Sequence, residues 1–131
     1  MPRSLMSVAV FMVSFLALAM PYWQIPYSQI ALPNSLLGPG ALITCALAMF
    51  LRLEPRRKFA EVILACGGAF PAVVLSRIIY DVAFDASSHN LWPFEIVIAI
   101  LLGLIVSAAG AAVGSLLFSS MVRSGDDADE T

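Results

Sequence analysis

Long apolar runs, continuous rather than alternating, fill most of this chain, and its polar residues gather in short clusters between them. Between Leu5 and Leu51 there is no Asp, Glu, Lys or Arg. A helix that crosses a bilayer needs roughly 20 mainly apolar residues. Four segments approach that length, at about 5–23, 36–53, 59–80 and 94–122. Because helices and closed barrels are the only viable spanning structures, and the runs do not alternate as barrel strands do, the pattern predicts helices. The expected fold class is an all-α integral membrane protein, a bundle of four transmembrane helices over residues 1–122. An acidic, disordered tail is expected at 123–131.

Two of these spans are interrupted. "GPG" at 38–40 lies inside the second. A helix beginning only at Pro39 would cover about 22 Å, short of a ~30 Å hydrocarbon core. The second span is therefore expected to begin near Asn34 or Ser35 and to kink at Pro39. In the third span Gly67-Gly68 precedes Pro71, and a kink is expected there too. The connection at 21–40 has no charge and four prolines. It reads as an irregular loop lying against lipid, with Tyr22, Trp23 and Tyr27 at the headgroup layer. The alternative is a re-entrant segment that caps the bundle.

Small residues suggest how the spans pack. Gly103, Ser107, Ala111 and Ser115 recur every four residues in the fourth span, with Gly110 and Gly114 beside them. The third span carries a matching row of Ala65, Gly68, Ala72 and Ser76. Such rows let helix backbones approach closely where lipid removes the hydrophobic drive. The expected result is a close antiparallel pair of spans three and four, with homodimerisation through the fourth as the rival use.

Composition agrees: 60% of the residues are hydrophobic and 12% charged, against about 25% charged in soluble domains. Charge then adds direction. Arg3, Arg52, Arg56, Arg57, Lys58 and Arg123 fall on one side of the four-span path and only Arg77 on the other. The positive-inside rule places both termini in the cytoplasm, in an inner or plasma membrane. "MPRSLMSVAVFMVSFLALAMP" also fits a cleavable signal, with Ala17-Leu18-Ala19 at the cleavage position. An uncleaved anchor is the reading adopted, and the other spans keep their orientation either way. No basic stripe suited to nucleic acid is present.

Ionisable residues near the membrane are the candidates for function. Glu61, in the first turn of the third span, is expected to pair with Arg57 or Lys58. Arg77, near the far end of that span, is expected to join spans three and four through Asp81 or Glu95. Asp81, Asp85 and His89 are spaced at i, i+4 and i+8 and would line one face of a continued helix. However, "ASSHN" at 86–90 favours a helix end before His89, so no metal is expected there. Asn90, Pro93 and Glu95 suit the start of the fourth span. His89 is left as a candidate pH-dependent contact with an exterior partner.

Other chemistry fails on residue inventory. One histidine cannot ligate haem from both sides, and the phosphate-loop, HExxH and GxSxG patterns are missing. Cys45 and Cys66 lie in apolar runs without metal-ligand spacing. No cofactor is expected. The functional expectation is a non-catalytic accessory or assembly subunit of a larger membrane complex. Its expected partners are the lipid bilayer and another membrane protein or further copies of itself. The alternative is a small oligomeric transporter or channel with a site near Arg77.

Overall fold

The computed structural model describes residues 2–86 and 91–130, and its regular secondary structure there is helical. Four helices form the bundle: α1 (Arg3–Gln24), α2 (Pro39–Arg52), α3 (Phe59–Phe84) and α4 (Trp92–Asp129). Three of them, α1, α3 and α4, are long and apolar enough to cross a membrane. Helix α2 has 14 residues, about 21 Å at the usual rise.

The first helix runs through Pro21 and stops where Ile25 turns extended ahead of Pro26, as a residue before proline prefers. Because the helix continues past Pro21, Ser14, Leu18 and Tyr22 stay on one stripe, and all three are buried. Tyr22 is therefore a core residue and not part of a headgroup belt. Trp23 is on the rim, 37% exposed and packed on Tyr80. The side chain of Tyr27 lies outside the described residues.

The second span differs from expectation. Gly38 is extended and Pro39 takes the first helical position, where its missing N–H and fixed φ suit a helix start. There is no helix at 34–38 for Pro39 to kink. In its place the 25–38 segment folds over the end of the bundle. It bonds to itself: the Ala31 amide donates to Ser35 Oγ at 2.9 Å, and the Ser35 and Leu36 amides donate to the Ala31 and Pro33 carbonyls. Such pairing meets the need of irregular backbone for hydrogen-bond partners. Leu36, 3% exposed, inserts among Leu18, Tyr22, Ala41, Phe70 and Val73. Leu36 thus ties the segment to the end of the bundle, while most of its other described residues are exposed or half-buried.

The irregularity in α3 is a widened π turn at Ile63–Gly67, just upstream of Pro71. Pro71 gives the Gly67 carbonyl no N–H four residues on, and its ring crowds that carbonyl. Widening the preceding turn relieves the conflict, as π turns do inside α-helices. The extra residue also rotates the face that α3 shows to α4. Gly67, and not Gly68, meets Gly103: a methyl group added at Gly67 would lie 2.8 Å from the Gly103 carbonyl oxygen and from Ser107 Oγ. Gly68 instead faces Phe11 of α1, and Ala72 is half-buried.

Helix α4 packs on two partners. Its Gly103–Ser107 stretch lies on the π turn of α3. Gly110 and Gly114 lie on α2, against the Cys45 and Met49 carbonyls. The same device joins α1 and α2, where a methyl at Gly40 would come within 2.5 Å of the Ala17 carbonyl, which Pro21 leaves without its usual donor. Glycine at these positions allows backbone contact and weak Cα–H···O bonds. Helix α4 has 38 residues, about 57 Å, and outlasts a ~30 Å core. Residues 123–129, expected as a disordered tail, continue it as exposed turns.

Candidate functional site

Two arginines are buried, one at each end of the bundle, and they organise its polar chemistry. At the end opposite the termini, Arg77 of α3 is 8% exposed. Its Nε donates to Asp81 Oδ2 at 2.8 Å, one turn on along the same helix. Nη1 donates to the carbonyls of Tyr22 (3.3 Å) and Trp23 (3.1 Å), and Nη2 to that of Ile25 (3.1 Å). The guanidinium also lies 5.6 Å from the centre of the Trp23 ring. Helix C-termini leave carbonyls without amide partners and carry partial negative charge. Arg77 answers both needs at the end of α1.

Asp81, one of the two expected partners, is the carboxylate that Arg77 meets, and the carbonyl bonds of Arg77 tie α3 to α1. Glu95 is in the first turn of α4, half-buried. Asp85 turns extended after Phe84 and is exposed. The helix ends there, so Asp81 and Asp85 do not continue a common helical face toward position 89. His89 lies outside the described residues. Among the described residues, no group of three His, Cys, Asp or Glu is placed to hold a metal ion.

The second buried arginine was not foreseen. Arg57, 2% exposed, belongs to the cationic loop "RLEPRRK". Its Nε and Nη2 lie 3.0 Å from Glu54 Oε2, and its Nη1 donates to Ser7 of α1 at 2.6 Å. Arg52 donates to the Arg57 carbonyl and, at 2.9 Å, to Ser115 of α4. A loop's composition does not say which of four neighbouring cations turns inward. The one available signal was Glu54, three residues before Arg57. Glu61 does not pair with Arg57 or Lys58. It meets Arg3 of α1 at 3.3 Å, and Arg3 also donates to the Arg56 carbonyl at 2.6 Å.

Between the two ends is a layer of small and hydroxylated residues. Thr44 and Ser107 are fully buried and donate to the Gly40 and Gly103 carbonyls of their own helices. Ser14 is also fully buried, with no hydrogen-bond partner for its hydroxyl. Comparison with protein-family models, curated proteins and solved structures finds no match for the chain.

Proposed function

We propose that this chain is a non-catalytic multi-pass protein of the plasma membrane, with both termini cytoplasmic, acting as an accessory or assembly subunit of a larger membrane complex. The architecture supplies the coarse part: an all-α bundle with three helices of membrane-crossing length and apolarity. The observation that supports the finer part is where the polar donors go. Arg77 directs its donors at α1 carbonyls and Asp81, and Arg57 directs its own at Glu54 and Ser7. Thr44 and Ser107 bond within their own helices. These donors are thus used inside the bundle, on bonds between its helices or within them. A substrate path needs such groups turned toward a cavity. A transporter site at Arg77 would require that arginine to leave four internal acceptors.

Affinity purification from native membranes in a mild detergent, followed by mass spectrometry, tests the proposal. The expected result is a larger membrane protein recovered in fixed ratio with this chain. Recovery of the chain alone, or only of its homo-oligomer, counts against a subunit role.

A further inference from the structure

On the flank of the bundle at its basic end, an apolar groove of about 340 Å³ runs between α1 and α3, lined by Ser7, Val8, Phe11, Glu61, Leu64 and Ala65. Its walls are those of a hydrocarbon site: Val8 and Leu64 are 58% and 73% exposed. Its mouth is charged. Glu61 there is paired with Arg3, which also holds the Arg56 carbonyl, and the Glu61 amide donates to the Lys58 carbonyl. The backbones of Arg56 and Lys58 are thereby fixed beside the groove. Both side chains are exposed, and among the described residues neither makes an ion pair. With Glu61 answered by Arg3, the charges of Arg56 and Lys58, in the loop that leads into the groove at Glu61, are left over at this end.

From this complementarity we infer a binding site for an anionic phospholipid, with its phosphate between Arg56 and Lys58 and one acyl chain along Val8, Phe11 and Leu64. Basic clusters at the end of a helix pair recognise anionic headgroups. The acyl chain gains contact from walls that a flat helix face does not offer. A helix from another chain would fill the groove equally well in shape, but it would bring no phosphate for the two cations. The inference rests only on the membrane-type architecture and not on the proposed subunit role.

Native mass spectrometry of the full chain in mild detergent tests it, with dioleoyl phosphatidylglycerol, dioleoyl phosphatidylcholine and inorganic phosphate as separate probes. Phosphatidylglycerol is expected to be retained in preference to phosphatidylcholine. The Arg56→Gln/Lys58→Gln variant should weaken that retention by about thirtyfold, the scale expected for two interfacial cations. Val8→Trp, which fills the groove without changing charge, should weaken it as well. Both changes are at exposed positions, and an unchanged far-UV spectrum confirms that the variants fold. Equal retention of the two lipids would overturn the inference, as would retention indifferent to the double variant. Displacement of phosphatidylglycerol by millimolar phosphate, with Val8→Trp having no effect, would leave an anion site without the lipid and also overturns it. So would a Val8→Cys chain that cross-links to a second copy while retaining no lipid.

Discussion

Replacing Arg77 by Met removes the guanidinium while keeping much of the stem. Four internal acceptors lose their donor: the Tyr22, Trp23 and Ile25 carbonyls and Asp81. Hydrogen bonds to a charged group contribute about 1.5–3 kcal/mol each, but they are not additive when one group makes them all. Removing one partner of a buried ion pair costs about 3–5 kcal/mol. That range applies with little solvent discount, since the Arg77 and Asp81 side chains are 9% and 15% exposed. The expected loss is therefore about 3–5 kcal/mol of unfolding free energy, measured by reversible unfolding in mixed micelles with far-UV circular dichroism. Arg77→Lys keeps the charge but not the planar fork, so it should recover only part of the loss. Asp81→Asn leaves the three carbonyl bonds in place and should cost less than Arg77→Met. The Arg77→Met/Asp81→Asn pair should fall short of additivity by about 1 kcal/mol or more, as contacting residues do. If Arg77→Met unfolds within about 0.5 kcal/mol of the parent, the range of an ordinary surface change, the arginine is not a structural tie and the reasoning fails.

Three further outcomes follow from the packing. Gly103→Ala drives a methyl into the Gly67 carbonyl and Gly110→Ala one into that of Cys45; each should cost about 1–3 kcal/mol as overpacking. Gly125→Ala, which meets open space in an exposed helix, should instead stabilise by up to about 1 kcal/mol. Arg57→Ala strips Glu54, 34% exposed, and Ser7 of their buried partner and should cost about 1–3 kcal/mol, whereas Arg56→Ala beside it should stay within about 0.5 kcal/mol; the same unfolding assay separates them. Leu36→Ala removes the buried side chain of the 25–38 segment and should cost about 2–5 kcal/mol, with faster thiol labelling of a cysteine placed at Leu18 as a second readout.

The three long helices are legible in the sequence because a bilayer demands one simple thing of them, an unbroken apolar length. Helix α2 is legible as an apolar helix, but its short length is not. Counting about 20 residues per crossing assumes that each apolar segment fills its own path. Here α2 starts only at Pro39, and Leu36 of the self-bonded 25–38 segment joins the buried cluster ahead of it. The small-residue stripe of α4 and its pairing with the third span were legible, but the facing glycine and the second partner, α2, were not. One added residue in the π turn puts Gly67 opposite Gly103, and Gly110 and Gly114 turn to α2. Arg77–Asp81 could be read from a four-residue spacing. The Arg77–Ile25 bond spans 52 residues, and no local pattern encodes it. Arg57 shows the same limit inside a loop, where charge is plain in the sequence and side-chain direction is not.

In the proposed role the bundle uses its buried arginines on itself and presents the apolar flank of α4 to a larger membrane protein. Site-specific photo-crosslinking in native membranes tests it most directly, with a photoreactive residue at Ile105 or Leu116 of α4, 65% and 71% exposed. The account predicts a discrete adduct between this chain and one larger membrane protein, unchanged in Asp126→Asn. Adducts with lipid alone, or with a second copy of the chain alone, would contradict it.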